Sequence, residues 1–320
     1  MGAKNGSGVR CMRVAAKSEV ARDVVAVRLV DPDGREVPAW EPGAHIDLNL
    51  AEGLTRQYSL CGAVDSHESL TVAVLREGDG RGGSIWVHDK LEVGDSLEIG
   101  GPRNHFALGE ASSYLFIAGG IGITPIKPMI AQVVSVGAPW KLLYGGRTRA
   151  SMAFVDDLQD SYGDKVVIHP QDEFGLLDVV AAVEDVPAGT AVYCCGPEPL
   201  LRAVEEATCA RPLLSLHVER FSPRQAPADQ PSGEFDVELA RSGDVVRVRA
   251  GESVLDALEQ AGVAVEYSCR EGTCGTCEVA VVSGTPDHRD SVLTDDERAA
   301  GDVMMTCVSR CLGSRLVLDL

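Results

Sequence analysis

The sequence predicts a multidomain protein in which an antiparallel β-barrel, an α/β domain with a parallel sheet and a small C-terminal α+β domain follow one another. Three observations predict this order: short β-type runs separated by turns fill the N-terminal third, strands alternate with helices from Ser113 onwards, and a polar, proline-rich stretch precedes the final segment. The chain has 320 residues. This is two to three times the ~100–150 residues of a usual domain, so more than one core can form.

The charge balance limits the partners that this chain can bind. Asp and Glu number 48 against 29 Lys and Arg, which gives a formal net charge of −19. Nucleic acids and anionic membrane surfaces attract basic faces, so we expect neither as a partner. The N-terminal segment shows no signal-like apolar stretch, and no run approaches ~18 apolar residues. We therefore expect a cytoplasmic protein without a membrane span, and we expect it to be a monomer.

Runs with β-type patterning account for the first domain. Turn signals such as Asp31-Pro32-Asp33-Gly34 and Gly78-Asp79-Gly80 separate them, which is typical of antiparallel barrels and sandwiches. The predicted strands are Asp23–Val30, Ala44–Leu50, Arg56–Leu60, Leu70–Leu75 and Ser96–Ile99.

Strands and helices then alternate, which implies a parallel sheet with helices on both faces. The predicted strands are Tyr114–Ala118, Trp140–Tyr144, Lys165–His169, Ala191–Cys195 and Leu213–Val218. The predicted helices are Pro125–Val136, Met152–Leu158, Leu176–Val183 and Pro199–Ala207. In the last segment we expect a hairpin of Glu234–Leu239 and Val245–Arg249, and a helix over Ser253–Ala261.

Five of the ten cysteines crowd into the C-terminal segment, and four of these have a recognisable spacing. Cys269-x4-Cys274-x2-Cys277, followed later by Cys307, is the spacing of plant-type [2Fe–2S] ligands. A zinc site or four buried structural thiols are the alternatives, but zinc usually takes two Cys-x2-Cys pairs and only one is present. The cysteines expected to be merely buried packing residues are Cys11, Cys61, Cys209 and Cys311.

The segment Phe235–Leu320 resembles a plant-type ferredoxin, which implies a β-grasp (ferredoxin-like) iron–sulfur domain. Residues 234–320 contain 17 acidic and 8 basic residues. An acidic surface that faces a basic redox partner is one interpretation, and an ordinary solvated face is the other.

One predicted barrel strand carries the sequence Arg56-Gln57-Tyr58-Ser59-Leu60. A guanidinium can hold a phosphate, an aromatic ring can pack on a flavin ring, and a hydroxyl can hydrogen-bond near flavin N5. By itself this composition is also that of an ordinary strand. Gly80-Arg81-Gly82-Gly83-Ser84 follows, and such a segment is either a phosphate cradle at a helix start or a simple glycine-rich turn.

A second glycine-rich stretch, Gly119-Gly120-Ile121-Gly122-Ile123-Thr124-Pro125, lies between a buried strand and a helix. We expect Thr124 to cap this helix and Pro125 to be its first residue. Proline replaces the third glycine of the dinucleotide fingerprint G-x-G-x-x-G, and the pyrophosphate would lie at the helix N-terminus. Cys195-Gly196-Pro197 closes the fourth strand of this domain.

Residues 10–320 as a whole resemble the phthalate dioxygenase reductase and vanillate demethylase reductase family, within the ferredoxin–NADP reductase superfamily. The resemblance implies FMN, NADH and a [2Fe–2S] cluster as cofactors. FMN is favoured over FAD because no aromatic-bearing extension follows the first glycine-rich loop. Arg147 could bind a 2′-phosphate, a ribose or a pyrophosphate, and NADH is favoured because the similar branch uses it.

The resemblance also implies the site residues. The flavin contacts would be Arg56, Gln57, Tyr58, Ser59, Ala73, Val74, Leu75, Gly82, Gly83 and Ser84, with Phe221 covering the ring. The nucleotide contacts would be Gly120, Ile121, Gly122, Ile123, Thr124, Arg147, Cys195, Gly196 and Pro197. The cluster ligands would be Cys269, Cys274, Cys277 and Cys307. Ser59 and Cys195 would serve catalysis, because Cys195 faces the carbon that gives up hydride.

The expected organisation is an FMN-binding β-barrel at 1–110, an NAD-binding α/β domain at 111–221, a linker at 222–233 and a [2Fe–2S] ferredoxin domain at 234–320. The expected function is that of an NADH-dependent reductase component, which passes electrons through FMN and the cluster, one at a time, to a terminal oxygenase or demethylase. A Rieske-type partner is favoured. The alternatives are an FAD-type reductase for a cytochrome P450 or other monooxygenase, and a non-enzymatic redox sensor.

Overall fold

A computed structural model describes residues 9–51, 53–223 and 233–320. The chain divides into two compact units, of which the first ends at Glu219 and the second begins at Arg220. Most of the predicted linker, residues 224–232, lies outside the described residues, as do residues 1–8 of the predicted first domain. The finer domain boundaries stay a prediction.

The first unit begins with a six-stranded antiparallel sheet. Its strands β1–β6 are Arg10–Ala21, Val24–Val30, His45–Ala51, Leu54–Ser59, Ser69–Leu75 and Ser96–Arg103, and helix α1 is Gly83–Asp89. Their order in the sheet is β4-β3-β6-β1-β2-β5. An isolated bridge between Leu60, which follows β4, and Val72, in the middle of β5, links the two edge strands, so the sheet curls into a barrel. Side chains such as Ile46, Leu48 and Ile99 fill its interior.

Strand β1 is absent from the sequence prediction although it is the longest strand of this sheet. Its pairing with β2 shifts register between Val14 and Ala16 and again between Glu19 and Ala21. Each bulge interrupts the alternation of apolar and polar residues by which a half-buried strand is recognised.

The second half of the first unit has a parallel sheet covered by helices. Strands β7–β11 are Ser113–Gly119, Trp140–Gly146, Val166–Pro170, Thr190–Cys195 and Ser215–Glu219, in the order β11-β10-β7-β8-β9. Helices α2–α6 are Ile123–Ser135, Val155–Tyr162, Gln171–Phe174, Val179–Glu184 and Glu198–Cys209. Every residue of β7 is buried, as expected for a central strand covered on both faces. Since β7 and β10 are adjacent and parallel, the loops that follow them meet at one sheet edge.

Three predicted helix starts are wrong. Helix α3 begins at Val155 rather than Met152, because Phe154 takes a positive φ of 62° that no helix continues. Helix α5 begins after Asp178, whose carboxylate accepts the N–H of Ala181 and caps the helix. Thr124 lies inside α2 instead of capping it, and its hydroxyl donates to the carbonyl of Ile121 at 2.9 Å.

The second unit is an α+β domain. Strands β12–β18 are Phe235–Leu239, Val245–Val248, Glu278–Ser283, Pro286–Asp287, Val303–Met305, Arg310–Cys311 and Arg315–Leu318, and helices α7 and α8 are Val254–Gln260 and Asp295–Ala300. The main sheet has the order β13-β12-β18-β14-β16, and β12 pairs in parallel with β18. Phe235, Val237, Leu258 and Leu316 are buried together between α7 and the sheet. This mixed sheet with its helix confirms the predicted β-grasp class.

In the three described stretches of the chain, no helix combines the length and the apolar character needed to cross a lipid bilayer.

Candidate functional site

The four cysteines predicted to hold a cluster come together in the second unit. Three belong to the loop between α7 and β14, and Cys307 follows β16. All four are buried, at 1–8% exposure. Hydrogen bonds from Cys274 and Cys307 lower the pKa of Cys269, and a hydrogen bond from Cys307 lowers that of Cys277. Cys269 is therefore hydrogen-bonded to Cys274 and Cys307, and Cys277 to Cys307, so the four thiols are linked to one another.

Backbone and hydroxyl groups surround these sulfurs. The N–H groups of Glu271 and Thr273 point to Sγ of Cys269 at 3.3 and 3.5 Å, and the Thr276 hydroxyl lies 3.2 Å from Sγ of Cys274. Such donors stabilise negative charge on cluster sulfurs and help to set the reduction potential. In the described residues no three His, Cys, Asp or Glu side chains are arranged around a single metal-ion position. Paired buried thiols with N–H donors fit a two-iron cluster, which supplies one-electron storage when bound.

The predicted flavin residues lie on neighbouring elements of the barrel. Arg56 and Tyr58 are on β4, and the Arg56 guanidinium donates to the carbonyl of Arg81 at 2.7 Å, so it ties this strand to the glycine-rich loop. A Cβ on Gly83 would lie 2.4 Å from Cγ of Arg56, so only glycine lets the arginine cross the start of α1. Burial raises the pKa of the Tyr58 phenol to about 12, which keeps it a neutral ring. A positive group beside a helix start and a half-buried ring fit a flavin phosphate and ring, and FMN supplies both two-electron and one-electron transfer when bound.

The side chains of two predicted flavin contacts, Gln57 and Ser84, form hydrogen bonds within the protein. The amide of Gln57 donates to Oδ1 of Asp47 at 2.8 Å, and Arg103 donates to the other oxygen of that carboxylate. The Ser84 hydroxyl accepts the N–H of Glu77 at 3.0 Å and thereby closes the glycine-rich loop. The Gln57 side chain thus stabilises strand β4, and the Ser84 side chain stabilises the glycine-rich loop.

The nucleotide loops pack against one another at the ends of β7 and β10. A Cβ added to Gly122 would lie 2.2 Å from the carbonyl oxygen of Cys195, and one added to Gly119 would lie 2.6 Å from Pro197. The residues between Gly119 and Thr124 are therefore in direct contact with Cys195-Gly196-Pro197. Strand β5, which carries Ala73, Val74 and Leu75, lies against the 120–122 turn, so the flavin and nucleotide residues adjoin.

This close packing predicts the effect of a methyl group at position 122. Gly122 has an ordinary φ of −62°, so Gly122→Ala strains the contact rather than the backbone. We expect it to lower stability by about 1–3 kcal/mol, as overpacking does, and to weaken NADH binding, measured by titration. Gly137→Ala is the control, because nothing lies within 4 Å of its Cβ and its φ of 73° alone costs about 1 kcal/mol. If both variants bind NADH equally well, the contact at Gly122 does not shape the site.

Three polar side chains of the first unit converge where these elements meet. Ser59, at the end of β4, hydrogen-bonds to the carboxyl group of Glu219, at the end of β11. Sγ of Cys195, at the end of β10, lies 3.9 Å from Oε2 of the same carboxyl. Burial and the neighbouring Glu219 raise the pKa of the Cys195 thiol well above its usual range. The group therefore presents a hydroxyl, a neutral thiol and a carboxyl, and supplies no strong base, as hydride transfer requires none.

Glu219 is the functional residue that the sequence did not single out. It stands two residues before Phe221, in the motif that the family resemblance assigned to the aromatic ring. A lone glutamate at a strand end has no distinctive pattern, and only the fold brings it to Ser59 and Cys195.

The pKa of Glu219 predicts a pH dependence of stability. Burial of the carboxyl raises its pKa from 4.5 to about 8. The folded state thus retains a proton that the unfolded state has lost, so stability falls as the pH rises from 4.5 through 8. The residue is partly exposed, which reduces the effect to roughly 2–4 kcal/mol. We expect the melting temperature to fall from pH ~6 to ~9 less steeply in Glu219→Gln than in the parent; equal slopes would contradict this.

The remaining predicted residues differ in burial. Arg147 is exposed after β8, and Phe221, 43% exposed, belongs to the second unit; the roles of both stay predictions. Cys194 packs with Ile117 and Val192 on the opposite face of the sheet from Cys195. Cys61 is buried as expected, but Cys11 and Cys209 are exposed, so the prediction that they are buried is wrong. Cys11 lies on the solvent-facing side of β1, and Cys209 lies at the exposed end of α6.

Two regions of the chain match known protein families. Residues 237–312 match the family described as "2Fe-2S iron-sulfur cluster binding domain", and residues 116–206 match "Oxidoreductase NAD-binding domain". The chain is 44% identical over 311 residues to the phenoxybenzoate dioxygenase subunit beta of Ectopseudomonas oleovorans, with 97% of each chain covered.

Solved structures are also similar over nearly the whole chain, among them the following two. Phthalate dioxygenase reductase, described as "a modular structure for electron transfer from pyridine nucleotides to [2Fe-2S]", has a TM-score of 0.72 and 38% identity, with 98% of each chain covered. An intact type IV self-sufficient cytochrome P450 monooxygenase has a TM-score of 0.92 and 44% identity. All of this chain is covered there, but it spans only 43% of the P450 chain.

These similarities confirm the predicted enzyme class, an NAD(P)H-dependent flavin and iron–sulfur oxidoreductase, and FMN, NADH and a [2Fe–2S] cluster as its cofactors. They also confirm the predicted family. With 38% identity to phthalate dioxygenase reductase over nearly its whole length, the chain belongs to the phthalate dioxygenase reductase family.

Proposed function

We propose that this chain is the reductase of an oxygenase system and that its partner is a Rieske-type oxygenase that hydroxylates an aromatic ring or removes an O-methyl group. The observation that carries the reductase function is the meeting of Ser59, Cys195 and Glu219 at the nucleotide loops, on a chain that also carries the buried quartet of thiols. A single chain thus handles both hydride and single electrons. The full-length similarity to a dioxygenase subunit supports the kind of partner.

This geometry supports the proposed site residues. The proposed cluster ligands are Cys269, Cys274, Cys277 and Cys307. Arg56 and the loop that it crosses would hold the FMN phosphate, and Tyr58 would pack on its ring. The loops at Gly122 and Cys195 would hold the nicotinamide end of NADH. Ser59 and Cys195 would orient flavin and nicotinamide, while Glu219 fixes the hydroxyl and the thiol in place.

The charge of the second unit favours a basic docking face on the partner. Residues 234–320 contain 17 acidic and 8 basic residues. Complementary charge speeds encounter, and the effect weakens as salt is added. The rate of electron delivery to the partner should therefore fall with ionic strength, while flavin reduction by NADH inside the chain should not.

A mixing experiment tests the partner. The purified holoprotein, NADH and a Rieske oxygenase with an aromatic substrate are combined anaerobically, and the bleaching of the Rieske centre is followed in a stopped-flow spectrometer. We expect full bleaching with catalytic amounts of the reductase. Bleaching no faster than with NADH alone, across a panel of Rieske oxygenases, would contradict the proposal.

A cytochrome P450 is the second candidate partner, and a specific observation favours it. The TM-score of 0.92 and the 44% identity with the self-sufficient P450 structure cover all of this chain. When carbon monoxide is added to the same mixture, a separately expressed P450 haem domain would be reduced and would then bind carbon monoxide if this candidate were right. Reduction of the haem domain, without bleaching of any Rieske centre, would show that the partner is a cytochrome P450.

A further inference from the structure

A buried aspartate lies directly behind the cysteine loop of the second unit. Asp290 is 0% exposed and stands in the segment between β15 and α8. Neither the cysteine spacing nor the flavin and nucleotide motifs involve this residue. A fully buried carboxylate is expensive unless hydrogen bonds or a positive charge compensate it, so its contacts indicate what it does.

The carboxylate shapes a tight turn. Its Oδ1 accepts the N–H groups of Val292 at 2.9 Å and Leu293 at 2.8 Å. Arg298, on α8, donates to the carbonyl of Asp290 at 2.7 Å and to the carbonyl of Leu293 at 3.0 Å, and its Nη2 lies 3.3 Å from Oδ1. Asp290 therefore joins the turn to α8 through a charged pair of which the arginine is mostly buried.

This turn touches the cysteine loop at Gly272, which lies between Cys269 and Cys274. The N–H of Ser291 donates to the carbonyl of Gly272 at 2.7 Å. Gly272 has a φ of +67°, and a Cβ there would lie 3.0 Å from Cα of Asp290 and 2.5 Å from a methyl of Val308. The glycine turn of the loop is thus held between Asp290 and the residue that follows Cys307.

The turn also contributes to the wall around the thiols. Leu293, 5% exposed, packs in one cluster with Cys277 and Cys307. Oδ2 of Asp290 makes no hydrogen bond within the described residues, and it lies 3.9 Å from Nδ1 of the mostly buried His288. A negative charge near a cluster in a poorly solvated interior disfavours the addition of an electron.

We propose that Asp290 is a positioning residue for the iron–sulfur cluster: through the turn that Arg298 anchors, it holds the cysteine loop at Gly272 and lowers the reduction potential. The residue acts through Gly272 and Leu293 and is not itself a ligand. The proposal concerns the cluster domain alone, so it stands or falls independently of which oxygenase is the partner.

The test replaces the carboxylate by its neutral isostere in the full-length holoprotein. Asp290→Asn keeps the shape and one acceptor oxygen. We expect the cluster midpoint potential to shift to a more positive value, and the EPR g values of the reduced cluster to change. Asp302→Asn, an exposed residue of the same unit, is the matched control for net charge and should leave both unchanged.

A merely structural role would lower the melting temperature of Asp290→Asn without moving the potential or the EPR spectrum, and that result would overturn the proposal. If Asp290→Asn does not accumulate as a folded protein, Arg298→Gln decides, because Arg298 is the anchor of the same turn. Altered g values at normal iron and FMN content would support the proposal, with partial recovery in Arg298→Lys. A spectrum identical to the parent's would overturn it.

Discussion

Cys274→Ser is expected to abolish electron delivery to one-electron protein acceptors while leaving the reduction of FMN by NADH intact. Cys274 is 1% exposed and is hydrogen-bonded to Cys269, so its loss removes one of the four proposed cluster ligands. Apart from Phe221, the predicted flavin and nucleotide residues belong to the other unit of the chain. NADH-driven reduction of cytochrome c should fall to background, and anaerobic bleaching of the flavin should keep its rate.

Cys311→Ser is the matched control for this variant. Cys311 follows Cys307 by four residues, but its Sγ accepts the N–H of Gly313 at 3.2 Å and is not linked to the other thiols. The iron content and cytochrome c reduction should stay at the level of the parent. If Cys274→Ser also slowed flavin reduction, or if Cys311→Ser lost iron, the assignment of the ligands and the independence of the two functions would be wrong.

Ser59→Ala is expected to slow the reduction of FMN by NADH about 100-fold, the loss that follows when reacting groups are displaced by about 1 Å. The Ser59 hydroxyl bonds to the carboxyl of Glu219, which in turn contacts Cys195. Its loss removes the link between the barrel and the nucleotide loops at the proposed place of hydride transfer. Stopped-flow measurement of flavin bleaching under anaerobic conditions tests this.

Ser113→Ala is the control, because Ser113 is also a buried serine whose hydroxyl is hydrogen-bonded, to Thr190 at 2.6 Å, but it lies at the far end of β7. It should lose a similar amount of stability and keep the rate of flavin reduction. Ser59→Thr, which retains a hydroxyl, should recover part of the rate. Equal rates in Ser59→Ala and Ser113→Ala would show that Ser59 has no part in hydride transfer.

The strands of the parallel sheet and the cysteine quartet could be predicted from the sequence because each has a local pattern. The apolar run at Tyr114–Ala118 is short and uninterrupted, and the structure extends it by one residue at each end, to Ser113–Gly119. Few structures other than a [2Fe–2S] site have four cysteines at this plant-type spacing. The strand and three of the four cysteines are each contained in one short stretch of the sequence, and the plant-type pattern supplies the fourth cysteine.

The features that could not be predicted depend on distant contacts. Glu219 meets Ser59 across 160 positions of the chain, and nothing near either residue in the sequence indicates this. The side chain of Gln57 is directed to Asp47 by a strand pairing that its own motif does not encode. Asp290 reaches Gly272 through a turn rather than through a recognisable metal motif. Tertiary structure, not local preference, decides all three.

The start of α2 shows how a local rule can give the wrong position. Threonine followed by proline is a common way to begin a helix, and it predicts Thr124 as the cap. The 120–122 turn is already helical, so the chain enters α2 two residues earlier, at Gly122. Because Gly122 must pack on the Cys195 carbonyl, the contact with the next loop sets the helix start.

The central claim is that one chain takes hydride from NADH and releases electrons singly through a two-iron cluster. An anaerobic titration with NADH, followed by optical and EPR spectroscopy together, tests it most directly. We expect about three electrons per chain, two for the flavin and one for the cluster, with the EPR signal of a reduced [2Fe–2S] centre at the end. Uptake of only two electrons, with no such signal although iron and sulfide are present, would contradict it.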